Sequence, residues 1–275
     1  MATMGVGEAA RADEVPPVER IAATTTDGVE HQAMPAAVNR PPFTPTAKTM
    51  RTTVSPTGAE LACVTVASNA TPLRTQRPYL QARGSDPDGV DPWNQTVELK
   101  FIVVDNATNV ARWTSGWTGP MASGSTHRVQ VGAALSSQRT YRWRVKARDS
   151  AGKVTGWSGD ACMIRPDTTA PRKPIVNSTL YQEYPAGVFG GIGQPGTFTL
   201  RPNGASDVVS YSYSFNNGEV SGTKAASSIG WADIAFAPTN PGPNFVEVRS
   251  NDSAGNGSAE VRYEFWVRYP GREVQ

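Results

Sequence analysis

The sequence predicts an all-β chain: two tandem antiparallel β-sandwiches behind a disordered leader. Three observations carry that expectation. The 275 residues include 26 glycines and 22 prolines, and with abundant Ser and Thr and few helix formers such a mixture favours strands and turns. Apolar residues alternate with polar ones in short runs between turn clusters, the period of half-buried strands. The stretch "VKARDSAG" at 145–152 returns as "VRSNDSAG" at 248–255, an offset close to the roughly 100 residues of one sandwich.

Residues 1–40, rich in Ala, Thr, Pro and Glu without period, read as a disordered leader or linker. A first domain is expected over 41–167. "RPYLQARG" alternates and ends in the turn formers "SDPDG". "TVELKFIVVD" sets Val97, Leu99, Phe101 and Val103 on one face. "VARW" and "HRVQVG" are weaker strands. "TYRWRVKARD" places Tyr141, Trp143, Val145 and Ala147 on one face and Arg142, Arg144, Lys146 and Arg148 on the other. "DSAGKVTGWSGDACMI" then turns and returns as a last strand ending at Cys162, with Trp157 on it.

"RPDTTAPRKP" at 165–174 reads as a linker stiffened by its three prolines. A second domain is expected over 168–275, with strands in "GTFTLRP", "VVSYSYSFNNG", "DIAFAP", "NFVEVRSNDSAG" and "AEVRYEFWV". No helices alternate with these runs, so a parallel sheet is not expected. In both copies "DSAG" joins two strands, and it reads as a hairpin turn. The Asp accepts hydrogen bonds from backbone just ahead of it and the Gly supplies positive φ.

Charge excludes little by itself. The net charge is +2, but 41–167 carries 15 basic and 9 acidic residues against 8 and 9 in 168–275. That excess falls short of the clustered footprint of a nucleic-acid binder. No run of about 18 apolar residues occurs, so no membrane span is expected. The first 40 residues lack the basic start and apolar stretch of a secretory signal, so the protein either stays inside the cell or lacks its leader here.

Cys63 and Cys162 bear on that choice. They bracket the first domain, where terminal strands can bring two thiols together. A disulfide is the favoured reading; two unrelated buried thiols are the alternative, and two Cys with no nearby His make a poor metal site. A disulfide implies an oxidising compartment, and therefore an exported protein.

Catalytic machinery is hard to assemble. The two histidines are His31 in the leader and His127 on a strand, and no nucleophile elbow, phosphate-binding loop, zinc-protease helix or dinucleotide fingerprint occurs. Asp86, Asp88 and Asp91 in "SDPDGVDPWN" cluster oxygens of the kind calcium takes, though Asp-Pro-Asp-Gly is also a good turn. No other cofactor is expected. Trp93, Trp113 and Trp117 in or beside loops are candidates for stacking on sugars. Arg142 and Arg144, in the basic row with Trp157 close by, form a second candidate surface, for an acidic glycan. The plainer reading of that row is a solvated face.

At 135–147, "LSSQRTYRWRVKA" resembles the end of a fibronectin type III module, with Leu135, Thr140, Tyr141, Val145 and Ala147 in matching places and Ser137 where Pro is usual. The resemblance implies that Tyr141 is a corner tyrosine whose hydroxyl bonds backbone a few residues upstream. "DTTAPRKP" and "DSAGN" are similar to the opening and penultimate turn of bacterial immunoglobulin-like modules. The whole arrangement over 41–269 resembles secreted multidomain proteins of actinobacteria. It implies a non-enzymatic, secreted spacer and interaction module, a monomeric part of a larger chain, with an extracellular protein or polysaccharide as partner. The alternative it leaves is a carbohydrate-binding module accessory to a polysaccharide-active or lectin-like protein. Fold alone does not select between them.

Overall fold

The structure, a computed structural model, describes residues 39–88 and 96–271. Trp93 and Asp91 lie outside the described residues. The chain forms two β-sandwiches. The first contains β1 (Met50–Thr53), β2 (Leu61–Ala62), β3 (Thr71–Leu73), β4 (Tyr79–Arg83), β5 (Thr96–Asp105), β6 (Ala111–Thr114), β7 (Met121–Ala122), β8 (Thr126–Gln130), β9 (Tyr141–Asp149) and β10 (Cys162–Pro166). One sheet has the order β2-β1-β4-β8; the facing sheet has the order β3-β10-β9-β5-β6, with β7 also on β5.

Period-2 alternation places the core. Val97, Leu99, Phe101 and Val103 of β5 and Tyr141, Trp143, Val145 and Ala147 of β9 are buried, and each intervening residue reaches solvent. Trp143 is fully buried and its indole N–H donates to Thr52 Oγ1 across the sandwich at 3.2 Å, so its one polar atom is satisfied. Tyr141 is the expected corner: its hydroxyl accepts the Ser136 N–H at 3.0 Å. Cys63 and Cys162 form a disulfide, with Cα atoms 5.0 Å apart.

The second sandwich contains β11 (Ile175–Ser178), β12 (Val188–Phe189), β13 (Gly196–Arg201), β14 (Val208–Phe215), β15 (Val220–Ala225), β16 (Ala232–Phe236), β17 (Gly242–Asp252) and β18 (Val261–Val267). Its sheets run β11-β13-β16 and β12-β18-β17-β14-β15. Phe198 stands at the centre of an aromatic core, with Tyr181, Phe215, Tyr263 and Phe265 within 6.1 Å between centroids. Tyr181, outside any strand, plugs one end, donating to Gln194 O at 2.6 Å. Gly190 and Gly196 lie against its ring, where an added Cβ would come within 2.5 and 2.4 Å of ring carbons.

Pairing is antiparallel except for one short parallel edge in each sandwich, β3 on β10 and β12 on β18. In both, the chain has crossed between sheets and arrives alongside the last strand, pointing the same way. A second departure from expectation concerns 150–161, which is not a strand ending at Cys162; β10 begins there. The segment carries too many glycines to hold strand geometry without help, and side-chain hydroxyls take over part of the ladder.

Candidate functional site

The outer face of the β5/β9 pair is the most developed surface of the first sandwich. β5 and β9 pair over nine positions, with Glu98 opposite Arg148, Lys100 opposite Lys146, Ile102 opposite Arg144 and Val104 opposite Arg142. Beyond the two central strands, both flanks are built alike. On one, Ser115 and Thr118 donate their N–H groups to Phe101 O and Leu99 O at 2.9 and 2.8 Å, while their hydroxyl oxygens accept the N–H groups of Phe101 and Leu99 at 2.9 and 2.8 Å. On the other, Thr155 and Ser158 do the same for Ala147 and Val145. Each hydroxyl replaces the carbonyl that a regular strand would present.

Both flanks carry one motif, Ser/Thr-Gly-Trp-Ser/Thr, at 115–118 and 155–158. Trp117 and Trp157 both contact the cations of the outer face. Lys146 lies 5.4 Å from the Trp117 ring and 5.0 Å from the Trp157 ring. Lys100 and Arg148 also approach Trp117, at 5.9 and 4.6 Å. Arg148 is anchored further by Glu98 at 2.6 Å. The recurring tetrapeptide, 40 residues apart, is the sequence signal for this arrangement, and it is visible only once the hydroxyls are seen as ladder partners.

The expected ligand residues are distributed unevenly. Trp113 is opposite Val103 and packs on the core, so it lies on the other side of the sheet from Trp117. The two are not brought together. Arg142 is engaged with the side-chain oxygens of Asn106 and Asn109. The Arg144 side chain makes no hydrogen bond or ion pair among the described residues, and its Nε is buried without an acceptor.

Asp86 and Asp88 meet the DSAG turn and the start of the described chain at one end of the first sandwich. Asp88 accepts the Arg40 Nε–H at 2.8 Å and also the Arg40 backbone N–H; these hydrogen bonds, backbone first, hold its carboxyl below the usual range. Asp86 is buried, with one oxygen accepting the Asp88 N–H at 2.8 Å and the other unpartnered. Burial first, then the Asp88 and Asp149 carboxylates, push its pKa up. Asp149 accepts the Lys153 N–H at 2.7 Å and the Asn39 side-chain N–H at 3.0 Å, and the Lys153 ammonium bonds Asn39 O. Two cations of the chain therefore stand among these carboxylates.

The second DSAG turn has the same backbone geometry. Asp252 Oδ1 accepts the Ala254 and Asn256 N–H groups at 2.9 and 2.8 Å, and Gly255 has φ +86, as Gly152 does. Asn256 stands where Lys153 stands in the first copy. Its side-chain amide donates to Asp252 Oδ2 at 2.8 Å and to Asp167 O at 2.9 Å, tying the turn of the second sandwich to the chain leaving the first. Asp167, Asp207 and Asp252 each offer an oxygen within 4.8 Å of the others, and none makes an ion pair among the described residues. Oxygen donors of this type suit hard cations. Asp167 and Asp207 were not singled out by the sequence, because the fold alone brings them to the turn.

His127 is buried in the first core. Thr118 Oγ1, already accepting the Leu99 N–H, is also hydrogen-bonded to His127 Nδ1 at 2.8 Å. Burial holds the imidazole below its usual pKa, partly opposed by Glu98. Among the described residues no second titratable group bonds it, and its side chain is buried.

Comparison with known proteins adds a partial family match. A family model described as the Rha78A-like N-terminal immunoglobulin domain matches residues 90–163, the part holding β5 to β9. No curated protein matches the chain. Among solved structures, the fibronectin(III)-like modules of Clostridium thermocellum CbhA are 13% identical with a TM-score of 0.43, covering 75% of this chain and 93% of that one. A Ca2+-stabilized adhesin of an Antarctic bacterium is 14% identical with a TM-score of 0.38, covering 82% of this chain and 50% of that one. The PKD domain of an M14-like peptidase from the Thermoplasmatales archaeon SCGC AB-540-F20 is 17% identical with a TM-score of 0.28, covering 47% and 99%.

Proposed function

We propose that the chain is a non-enzymatic spacer and interaction module that works outside the cell. The observation that carries this reading is the joint between the sandwiches. The last strand of the first sandwich passes into Asp167, which is buried, donates its N–H to Leu73 O at 2.7 Å, and accepts Asn256 of the second through its backbone oxygen. Thr168 is held as well, its N–H donating to Ser137 Oγ at 3.1 Å. Beyond these, "TTAPRKP" restricts the linker through its prolines. At the far end the Asn203 side-chain amide donates to Lys173 O at 3.2 Å, and a chain that holds its linker in this way is suited to presenting neighbours at a set spacing and orientation. The disulfide supports an oxidising compartment.

The test is the mutual orientation of the sandwiches in solution, measured by residual dipolar couplings on the whole chain. One common alignment tensor is expected for both, with Asn256→Ala splitting it into two while each sandwich keeps its own couplings. Two independent tensors in the unmodified chain would overturn the spacer reading. Free thiols at Cys63 and Cys162 in protein recovered from its native source would overturn the extracellular one.

A further inference from the structure

We infer that the outer face of β5 and β9 binds an anionic polysaccharide, an inference that rests on the interaction-module reading above and names its partner class. Six cations point outward from β5, β9 and β10: Lys100, Arg142, Arg144, Lys146, Arg148 and Arg165. The other charged groups of these strands, Asp105 and Asp149, are buried on the inner side, so Glu98 is the one carboxylate that β5, β9 and β10 place on the outer face, and Arg148 already takes it. Arg142 is committed to amide oxygens. Lys100, Arg144, Lys146 and Arg165 have no anionic partner among the described residues, and the Nε atoms of both arginines are buried without an acceptor.

Register sharpens the point. Lys100 and Lys146 are directly opposite each other, and Arg144 is the next outward residue on the same strand. Like charges facing across a ladder destabilise a sheet, and here the relief comes from two indole faces rather than from a carboxylate. An anionic group seated between Lys100, Lys146 and Arg144 removes that repulsion and gives the free guanidinium an acceptor it fits. Outward side chains on one strand repeat about every 6.6–6.8 Å, so β9 presents a straight cationic row suited to a linear polymer with regularly spaced charges. The face favours a polysaccharide over nucleic acid. It offers no helix or loop to enter a groove, and its tryptophans are already covered by the chain's own cations rather than free to stack on bases.

The experiment is retention of the whole chain on immobilised polygalacturonate and on heparin, beside neutral dextran and single-stranded DNA, at about 20 mM and 500 mM salt, where the Debye length falls from about 20 Å to a few Å. Retention on one or both acidic polysaccharides at low salt, lost at high salt, is expected, and which of the two is held more tightly tells carboxylate from sulfate. The pair Lys100→Glu and Arg144→Glu should weaken it more than tenfold, whereas Lys224→Glu with Arg268→Glu, an equal change in net charge on the second sandwich, should leave it within twofold. If the first pair does not fold, judged by its thermal transition, Lys100→Gln with Arg144→Gln decides, with a several-fold loss expected. No retention, equal loss in both pairs, equal retention on dextran, or tighter retention on DNA than on either polysaccharide overturns the inference. A chain that retains no polysaccharide yet keeps one alignment tensor leaves the spacer reading standing.

Discussion

Single residues in the first core report on pH. His127 is hydrogen-bonded to Thr118 and lies among Gly84, Val97 and Leu99, where burial disfavours an imidazolium more than the charge of Glu98 favours it. Its pKa is lower in the folded than in the unfolded chain, so between those two values the unfolded state binds more protons and stability falls as pH falls. The stability is fully present above the ordinary histidine range near 6.5 and is lost as pH drops through it toward the folded value. Melting temperatures at pH 7.5 and 5.5 check this: the unmodified chain should lose stability over that interval, and His127→Gln should lose less. Tyr141 shows what sequence reasoning reads well at this scale, because one spacing fixes both the corner and its bond to Ser136. Trp113 shows what it reads poorly. A tryptophan beside a glycine-rich stretch looks exposed, and only its register opposite Val103 turns it inward.

At the scale of elements, alternation was sufficient for β5, β9, β13, β16, β17 and β18, whose burial follows every second residue for most of their length, whereas in β14, which shifts register after Val208, Tyr211 and Phe215 are buried and Tyr213 only partly so. The short strands β1, β2, β3, β7 and β12 carry two to four residues, too few to show a period. The Ser/Thr-Gly-Trp-Ser/Thr segments escaped for a different reason: their ladder bonds are made by side chains, which no backbone pattern encodes. The glycines around Tyr181 belong to this scale too. They read as loop punctuation, but they make room for a ring that closes one end of the second core. Gly196→Ala should lower the thermal midpoint of the second sandwich, overpacking of this kind costing about 1–3 kcal/mol. The Phe198-centred core makes near-ultraviolet circular dichroism a direct readout, and an unchanged midpoint would show that the ring can move aside.

For the whole molecule, the two DSAG turns mark where one plan is used twice with different polar fittings. The first turn has Lys153 beside it and Arg40 at hand; the second has Asn256 and two further carboxylates, Asp167 and Asp207. The sequence made the repeat legible but not this difference, because Asp167 and Asp207 reach Asp252 only through folding. The disulfide also acts at this scale. Closing a loop with a sequence separation of 99, it should contribute on the order of 4–5 kcal/mol through the unfolded state. Denaturant titration with and without reductant is expected to move the midpoint of the first sandwich alone, and an equal shift in the second would contradict that assignment.

The same covalent link has a mechanical meaning. Cys63 follows β2, and Cys162 opens β10. A pull transmitted along the chain can peel β1 and β2 away, but on reaching Cys63 it crosses the sulfur bridge to β10 and passes to the linker, leaving β3 to β9 unloaded. Nearly all of the outer cationic face lies inside that protected loop, with Arg165 just beyond it. Reduction would release about 330–360 Å of extensible chain, at about 3.3–3.6 Å per residue. The second sandwich has no such bypass. Under tension its whole chain is open to extension, while in the first the loop from Cys63 to Cys162 stays closed.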